Sequence, residues 1–101
     1  MEINSLFNVT GKVVVVTGGS RGIGEMITAG FLANGAKVYI SARKAPPLME
    51  KAKELSERYN AECIAIPCDL STLEGMDYFT QQITEKENGI DFLINNAGAA
   101  W

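Results

Sequence analysis

A run of four valines near the amino terminus is the most distinctive hydrophobic segment of the chain. Val13 to Val16 lie between Gly11 and Gly18 with no polar residue among them. A β-branched run without polar alternation is typical of a strand that is covered on both faces of a sheet. The pattern therefore predicts a central parallel strand over residues 12–17.

The next segment, residues 23–32, has the apolar spacing of an amphipathic helix. Apolar positions recur at intervals of three, one and four residues, which places them on one helical stripe. We expect this stripe to face the core, and it consists of Ile23, Met26, Ile27 and Phe31. Asn34-Gly35 is expected to end the helix with a left-handed cap.

A second strand and a second helix follow. Lys37 to Ser41 is short and rich in β-forming residues, which predicts a strand. Pro46-Pro47 suits the start of a helix, where a missing N–H costs nothing, and Asn60 is expected to end it. The expected buried face of this helix consists of Leu48, Ala52, Leu55 and Tyr59.

The last third of the sequence predicts one more helix between two strands, over residues 62–67 and 90–94. Asp69, Ser71 or Thr72 offers an N-cap for the helix, and Asn88-Gly89 is expected to close it. Its buried face would consist of Leu73, Met76, Phe79 or Thr80, and Ile83.

Strands and helices thus alternate in the order β-α-β-α-β-α-β, with roughly 30 residues in each β-α-β unit. Such alternation indicates a parallel sheet with right-handed crossovers. We predict an α/β fold of the Rossmann type, a doubly wound parallel sheet with strand order 3-2-1-4 and three helices. All of residues 1–101 would belong to this one unit.

Composition and charge limit the kinds of partner. The 101 residues are 47% apolar and carry a net charge of -3 without a cluster of lysine and arginine, so we expect no nucleic-acid partner. The longest apolar stretch is the four-valine run, far below the roughly 18 to 20 residues that cross a bilayer. We therefore expect a soluble chain without membrane contact. Met1-Glu2 does not begin a secretory signal, which favours a cytoplasmic location.

Two cysteines and the lack of histidine bear on redox and metal chemistry. Cys63 and Cys68 are five positions apart in a predicted strand, so their side chains should lie on opposite faces. We expect two reduced thiols that act as small apolar fillers, with no disulfide between them. Because the sequence has no histidine, two thiols cannot complete a four-ligand zinc site, and we expect no metal.

The turn between the first strand and the first helix is rich in glycine. It reads Thr-Gly-Gly-Ser-Arg-Gly-Ile-Gly over residues 17–24, at the position of the dinucleotide site in a Rossmann sheet. Gly18 suits a turn with positive φ, Gly22 would let the backbone approach a pyrophosphate, and Gly24 would let the helix lie close to the sheet. Free N–H groups of the first helical turn would then hold the anion.

Other interpretations of this turn fit less well. A plain tight turn would need only one or two of the glycines. No Gly-Lys-Ser or Gly-Lys-Thr follows the loop, which disfavours a mononucleotide P-loop and hydrolysis of ATP or GTP. A nucleotide-sugar epimerase would more often show Gly-x-x-Gly-x-x-Gly, and the methyl donor of a methyltransferase has no pyrophosphate.

Three motifs together carry a family resemblance. They are Thr-Gly-x-x-x-Gly-x-Gly over residues 17–24, Cys68-Asp69-Leu70, and Asn-Asn-Ala-Gly over residues 95–98. With these motifs at matching spacing, essentially the whole chain resembles the N-terminal, cofactor-binding half of the short-chain dehydrogenase/reductase family. The resemblance implies contacts between a nicotinamide dinucleotide and Gly18, Ser20, Arg21, Gly22, Ile23, Gly24, Ser41, Arg43, Lys44, Asp69, Leu70, Asn95, Ala97 and Gly98.

The residues after the second strand indicate which dinucleotide is bound. In a Rossmann site an acid here accepts from the 2′-OH of NAD, whereas an arginine accommodates the 2′-phosphate of NADP. The chain has Ser41-Ala42-Arg43-Lys44 and no acid, and Arg43 can make a bidentate contact with a phosphate. Arg21 points toward the same corner in family members that prefer NADP. We expect NADP(H) to be preferred over NAD(H); ordinary solvated charges at Arg43 and Lys44 are the alternative.

The resemblance also implies roles for the two later motifs. Asp69 would accept from the adenine amino group and Leu70 would pack beside the ring, although an aspartate before a helix also suits a cap. Asn95 and Ala97 would contact the cofactor near the ribose. For Asn96, a structural role is the alternative to a binding role.

The catalytic group of the family has no counterpart in the sequence. Family members use a tyrosine as general acid/base, a lysine four residues later that lowers the pKa of the tyrosine, and a serine that orients the substrate carbonyl. The residues four positions after the three tyrosines are Arg43 after Tyr39, Cys63 after Tyr59 and Gln82 after Tyr78. We therefore expect no catalytic residue in this chain.

We expect the chain to be an NAD(P)-binding half-domain that lacks the catalytic half and is inactive alone. In the complete family enzyme, a small-molecule carbonyl would be reduced or an alcohol oxidised by hydride transfer, in a homo-oligomer. A non-catalytic NADP-sensing or protein-interaction module is the alternative. An unpaired edge on the fourth strand is expected to make the isolated chain marginally stable and prone to association.

Overall fold

Four parallel strands and three helices alternate along the chain in the computed structural model, which describes residues 8–96. The strands are β1 (Val13–Thr17), β2 (Lys37–Ala42), β3 (Cys63–Pro67) and β4 (Phe92–Asn95), and the helices are α1 (Gly22–Ala33), α2 (Ala45–Tyr59) and α3 (Leu73–Lys86). The order across the sheet is β3-β2-β1-β4, and every neighbouring pair is parallel. The predicted Rossmann-type fold is confirmed.

β1 separates two layers of core because successive side chains of a strand point to opposite faces. Val14 and Val16 pack with Leu32 of α1 on one face. Val15 packs with Phe79 of α3 on the other face. All three valines are fully buried, which confirms the prediction of a central strand covered on both sides.

The prediction for the buried stripe of α1 is wrong at two of its four positions. Ile23 and Met26 are 69% and 73% exposed, and the residues that α1 buries are Gly24, Thr28 and Leu32. The helix begins so close to the sheet that only a residue without a side chain fits between them. This close approach fixes which face of α1 meets the sheet, and the larger apolar residues lie to one side.

Those larger residues line an open groove beside β4. Met26, Ile27 and Phe31 border it together with Val9 and Phe92, and its volume is about 570 Å³. The rings of Phe31 and Phe92 are stacked with their centroids 6.0 Å apart. The apolar stripe of α1 is thus only half covered by the described part of the chain.

α2 packs as predicted. It buries Leu48, Ala52 and Leu55, and Pro46 lies in its first turn. Asn60 ends the helix in the left-handed conformation, with φ of +49°. Tyr59, the fourth residue of the predicted buried face, is only half-buried. The start, the other three buried positions and the end of the helix are confirmed.

α3 differs from its prediction at both ends. Phe79 and Ile83 are buried as expected, whereas Leu73 and Met76 are 80% and 50% exposed. The buried stripe therefore begins one to two turns later than the sequence indicated. The helix also ends at Lys86, before the predicted Asn88-Gly89 stop.

Glu87 is the C-cap of α3 and contacts β2. Its carboxylate oxygen Oε2 accepts a hydrogen bond from the hydroxyl of Tyr39 at 2.6 Å and lies 2.6 Å from Nζ of Lys37. The bonds from Lys37 and Tyr39 hold the pKa of Glu87 below its usual range. Because Lys37 and Tyr39 belong to β2, these contacts fasten the end of α3 to the amino end of that strand.

The two cysteines are on opposite faces, as predicted. Cys63 packs in the layer with α1 and α2, and Cys68 packs in the layer with α3. Both thiols are free, and burial raises the pKa of Cys63 to about 12. Within residues 8–96 there is no cluster of acidic, cysteine or histidine side chains suited to a metal ion. No helix in that part of the chain has the length and apolar content needed to span a bilayer.

β4 is the second outer strand of the sheet. It begins at Phe92, two residues later than predicted, after Asp91, whose N–H donates to the Val13 carbonyl at 2.8 Å. Phe92 and Leu93 are 43% and 62% exposed. Apolar side chains on both faces of β4 are therefore open to solvent in the described part of the chain.

Candidate functional site

The carboxyl ends of β1 and β2 meet at the glycine turn. Gly18 and Gly22 have φ of +69° and +62°, a conformation that favours glycine because it has no Cβ. Gly18 N–H donates to the carbonyl of Ser41 at 3.0 Å, which ties the turn to the end of β2. The predicted positive φ at Gly18 is confirmed, and Gly22 has no atom within 4 Å of the position of a Cβ.

Two other glycines of the turn are required by close packing. A Cβ on Gly24 would overlap the carbonyl oxygen of Gly18, which confirms that this glycine lets α1 lie against the sheet. A Cβ on Gly19 would lie 2.6 Å from Cγ2 of Ile40 and 2.7 Å from Oγ1 of Thr28. Sequence reasoning missed the role of Gly19, and its only signal was a fourth glycine in the loop.

α1 begins directly after the glycine turn, where its first N–H groups could bind an anion. Its first residue is Gly22, and Arg21 precedes it with extended backbone and no side-chain cap. The first N–H groups of a helix have no partners within the helix and carry partial positive charge. Glu25 in this first turn has its charge offset by Lys51, whose Nζ lies 3.4 Å from Oε2.

Three cationic residues flank the start of α1 and the end of β2 in the chain. Arg21, Arg43 and Lys44 are all exposed, and none of them forms an ion pair with a carboxylate within residues 8–96. By contrast, Lys37 and Lys51 are both paired with glutamates. The positive charge of this corner is therefore available to an anionic ligand.

Ser41 lies beneath this corner with an unsatisfied hydroxyl. The residue is 1% exposed, and its Oγ makes no hydrogen bond to any atom of residues 8–96. A buried hydroxyl without a partner costs about 1–3 kcal/mol. Such a group at the end of β2 suits a ligand that provides the missing bond.

Asp69 is held in a tight loop after β3. Its Oδ1 accepts from the N–H and the hydroxyl of Ser71, at 3.0 and 2.6 Å. These two bonds, followed by the charge of Arg43, hold the pKa of Asp69 below its usual range. Asp69 is not the N-cap of α3, because Thr72 fills that position and accepts from Gly75 N–H at 2.9 Å.

The start of α3 contains a second close contact that sequence reasoning missed. A Cβ on Gly75 would overlap the carbonyl oxygen of Asp69. Gly75 thus lets the loop of Asp69 and Leu70 fold back on α3. Leu70 is half-buried and packs against the apolar layer under α3.

Asn95 and Asn96 connect β4 to the glycine turn. The hydroxyl of Thr17 donates to Oδ1 of Asn95 at 3.0 Å and accepts from the N–H of Asn96 at 2.9 Å. Nδ2 of Asn96 donates to the carbonyl of Gly18 at 3.4 Å. These bonds hold Asn96 against the glycine turn. Ala97 and Gly98 of the same motif lie outside the described residues.

All described members of the candidate set therefore lie along the carboxyl ends of the strands. The glycine turn follows β1, the cationic segment follows β2, Asp69 and Leu70 follow β3, and Asn95 ends β4. In open α/β sheets, ligands bind at these ends where the strand order reverses, which here is between β1 and β4. Ser20 lies in the turn and is half-buried, whereas Ile23 lies in the first turn of α1 and is exposed.

Comparison with known proteins identifies the family. The family model described as short chain dehydrogenase matches residues 12–101. The chain belongs to the short-chain dehydrogenase family of oxidoreductases and corresponds to an N-terminal part of it.

Individual relatives agree with this assignment. The chain is 44% identical over 95 residues to the rhamnolipids biosynthesis 3-oxoacyl-[acyl-carrier-protein] reductase of Pseudomonas aeruginosa, covering 94% of this chain and 36% of that protein. The solved RhlG/NADP active-site complex of P. aeruginosa has a TM-score of 0.85 at 46% identity, over 91% of this chain and 36% of that one. The L-sorbose reductase of Gluconobacter frateurii, complexed with NADPH and L-sorbose, has a TM-score of 0.86 at 37% identity, over 90% and 35%. The chain thus spans about a third of the length of these relatives.

Proposed function

We propose that this chain binds NADP(H) at the glycine turn, as the nucleotide-binding portion of a short-chain oxidoreductase. The observation that carries the proposal is the start of α1: its uncapped N–H groups follow Arg21, and neither Arg21 nor Arg43, after β2, forms an ion pair with a carboxylate in residues 8–96. Helix N-termini of this kind bind pyrophosphate. All 101 residues would form this single binding unit.

A preference for NADP(H) over NAD(H) follows from the residues at the end of β2. Ala42 ends the strand and Arg43 follows it, so no acid is there to accept from a free 2′-OH or to repel a 2′-phosphate. The buried Oγ of Ser41 lacks a partner in residues 8–96. NADP and NADPH in the complexes of the two solved relatives support NADP(H) as a ligand.

The remaining contacts are assigned by position. Arg43 and Lys44 would hold the 2′-phosphate, Asp69 would accept from the adenine amino group through Oδ2, and Leu70 would pack beside the ring. Oδ1 of Asp69 is taken by Ser71, which leaves the other oxygen for a ligand. Asn95 and, outside the described residues, Ala97 and Gly98 would contact the ribose side.

Hydride transfer between nicotinamide and a carbonyl or alcohol is the chemistry that this cofactor supplies when bound. The chain's own contribution would be to bind and orient the dinucleotide. Catalytic residues would lie outside this chain, because none of its tyrosines is followed by a lysine four positions later. The substrate would be a small-molecule carbonyl or alcohol compound, and the complete enzyme a homo-oligomer.

The test is a calorimetric titration of the 101-residue chain with NADPH and with NADH. We expect tighter binding of NADPH. Arg43→Ala should weaken NADPH binding by about 10- to 100-fold, because a charge-assisted bond contributes about 1.5–3 kcal/mol, and should change NADH binding little. Arg58→Ala is the matched control, since Arg58 lies on α2 and pairs with Glu54. Equal affinity for the two dinucleotides would contradict the proposal.

A non-catalytic NADP-sensing or interaction module is the second candidate. The observation in its favour is that the sequence has the glycine turn of a nucleotide site but no Tyr-x-x-x-Lys motif. Mixing the chain with NADPH and a panel of carbonyl compounds should give no oxidation of NADPH under either proposal. Fusing the chain to the catalytic part of a relative separates them, because only an oxidoreductase portion would restore turnover.

The free thiols of Cys63 and Cys68 fit a reducing compartment, so we propose the cytoplasm as the location.

A further inference from the structure

The first turn of α1 carries an acidic side chain close to the N–H groups that would bind an anion. Glu25 is the fourth residue of the helix, and its N–H donates to the carbonyl of Arg21 at 3.3 Å. A carboxylate near a helix N-terminus interacts favourably with the partial positive charge of the free N–H groups. The same partial charge attracts a pyrophosphate. An uncompensated Glu25 would therefore oppose the binding of a phosphate at this helix start.

Lys51 of α2 compensates the charge of Glu25. Its Nζ donates to Oε2 of Glu25 at 3.4 Å, across the contact between the two helices. Within residues 8–96, no other lysine or arginine forms an ion pair with Glu25. The bond directs the carboxylate toward α2. Because both helices begin at the carboxyl ends of the strands, the pair lies within about two helical turns of the candidate site.

Lys51 has a second acidic neighbour, which is neutralised from another side as well. Lys51 donates to the two carboxylate oxygens of Glu54 at 3.4 and 3.3 Å. Glu54 also pairs with Arg58, whose Nη2 lies 3.5 Å from Oε2. Among the described residues, Glu25 is thus the acid that depends on Lys51 alone.

The pair of Lys51 and Glu25 is partly shielded from water. The two side chains have relative exposures of 25% and 30%, and such a pair is screened less than one on the open surface. Burial lowers the pKa of Lys51, but its bonds to Glu54 and Glu25 and their charges raise it overall. Lys51 therefore carries its charge at neutral pH.

We propose that Lys51 is a positioning residue of the nucleotide site, because it neutralises Glu25 and holds the carboxylate on the α2 side of the first turn of α1. The turn then keeps the positive potential that a diphosphate requires, without contact between Lys51 and the ligand. This inference rests on the proposed binding of NADP(H) at the glycine turn. It adds a residue from the middle of α2, outside the three sequence motifs of the site.

The first measurement is calorimetric titration of the 101-residue chain and its Lys51→Met variant with NADPH and NADH. Methionine keeps most of the lysine stem and removes the charge. We expect Lys51→Met to bind NADPH about three- to tenfold more weakly, because a negative charge near the helix start is no longer offset. The loss for NADH should be smaller, because NADH lacks the charge of the 2′-phosphate.

Lys53→Met is the matched control, since it makes the same change of charge on the same helix. Lys53 is exposed and forms no ion pair within residues 8–96. Its removal should change NADPH affinity less than about twofold, because an exposed charge is screened by solvent and salt. An equal loss for Lys51→Met and Lys53→Met would mean that only the net charge of the chain matters, which would overturn the proposal.

Rescue through Glu25 separates an electrostatic role of Lys51 from a merely structural one. Glu25→Gln alone should bind NADPH at least as tightly as the unaltered chain, because it removes the negative charge itself. In the Glu25→Gln background, Lys51→Met should change the affinity less than about twofold. Lys51→Arg keeps the charge and should bind NADPH normally. A loss for Lys51→Met that persists in the Glu25→Gln background would assign Lys51 to packing and would overturn the proposal.

Salt gives a second measurement of the same effect. The ratio of NADPH affinities between the unaltered chain and Lys51→Met should shrink from about 0.05 M to about 0.5 M NaCl, because salt screens the charge of Glu25. Circular dichroism establishes that each variant is folded, and Lys51→Gln replaces Lys51→Met if the latter does not fold. A ratio that stays constant with salt would contradict the electrostatic role.

The titrations distinguish failure of this inference from failure of the proposed function. If the unaltered chain binds neither dinucleotide, the proposed function is wrong and the role of Lys51 with it. If the unaltered chain binds NADPH and the folded Lys51→Met variant binds it equally well, only the role of Lys51 is wrong.

Discussion

Gly24 lies directly against the carbonyl oxygen of Gly18, with no room for a Cβ between them. The contact joins the first turn of α1 to the end of β1, so it fixes the helix start over the sheet. Nδ2 of Asn96 would be only 2.7 Å from the same Cβ. One small residue therefore sets the positions of three parts of the candidate nucleotide site.

Gly24→Ala should destabilise the fold and weaken NADPH binding together. The overlap with a backbone carbonyl cannot be relieved by a side-chain rotation, so we expect a loss of about 2 kcal/mol or more in the free energy of unfolding. Gly30→Ala in the same helix is the control: its Cβ meets no atom within 4 Å, and alanine should add about 0.5–1 kcal/mol. Urea unfolding measures both, and similar effects of the two variants would contradict the packing role.

Ser41→Ala should act in opposite directions on stability and on binding. Removing a buried hydroxyl that has no partner in residues 8–96 should stabilise the free chain by about 1 kcal/mol. The same change should lower NADPH affinity about 5- to 10-fold if the ligand supplies the missing bond. Ser56→Ala is the control, because that hydroxyl bonds to Cys63 and its removal should only destabilise. A Ser41→Ala chain that is less stable and binds NADPH normally would speak against the role of Ser41.

The contacts of Glu87 should make stability depend on pH in the acid range. The pKa of Glu87 is lowered in the folded state, first by Lys37 and then by Tyr39, so its contribution is complete above the ordinary value of about 4.5 and is lost as pH falls through the lowered value. The raised pKa values of Lys37 and Tyr39 keep the contribution intact up to about pH 10.

Glu87→Gln should therefore lose about 1–2 kcal/mol of stability at pH 7. This loss should be smaller at pH 3, because below about 4.5 the carboxylate of the unfolded chain becomes protonated. Urea unfolding of both chains at the two pH values gives the comparison. Glu85→Gln, an exposed position on α3, should behave as the unaltered chain does. A constant difference between the chains at pH 7 and pH 3 would rule out the ionic part of the contact.

Gly75→Ala tests the second close contact, at the start of α3. Its Cβ would overlap the carbonyl of Asp69, so the loop that carries Asp69 and Leu70 must move. We expect a loss of about 2 kcal/mol, which corresponds to a fall of roughly 8–16 °C in melting temperature for a chain of this size. Gly89→Ala, where a Cβ meets nothing within 4 Å, should melt within about 4 °C of the unaltered chain.

The topology could be predicted from the sequence because it depends on the spacing of apolar residues and on the order of strands and helices along the chain. The four-valine run, the Pro46-Pro47 start and the Asn60 stop each act within a few residues of themselves, and all three predictions are confirmed. The glycine roles at Gly18 and Gly24 could also be predicted, since a tight βα turn needs both. These sequence patterns act over a few residues, and tertiary contacts did not override them.

The details that could not be predicted depend on contacts between distant residues. The exposure of Ile23 and Met26 follows from how close Gly24 brings α1 to the sheet. The spacing of apolar residues in the sequence does not give that distance. The contacts of Glu87 after α3 are with Lys37 and Tyr39, almost 50 residues earlier in the chain. The sequence does not distinguish Gly19 and Gly75 from other loop glycines. Their need for glycine comes from close contacts with Ile40 and with Asp69, which only the structure shows.

Tyr39 and Glu87 meet at the amino end of β2, whereas the glycine turn lies at the carboxyl ends of the strands. A strand of six residues separates two such ends by roughly 15–20 Å. Substitutions that stabilise the contacts at the amino end of β2 can therefore be made without altering the geometry of the glycine turn. For anyone engineering this chain as a dinucleotide sensor, heat resistance and ligand selectivity can be tuned independently on opposite rims of the same sheet.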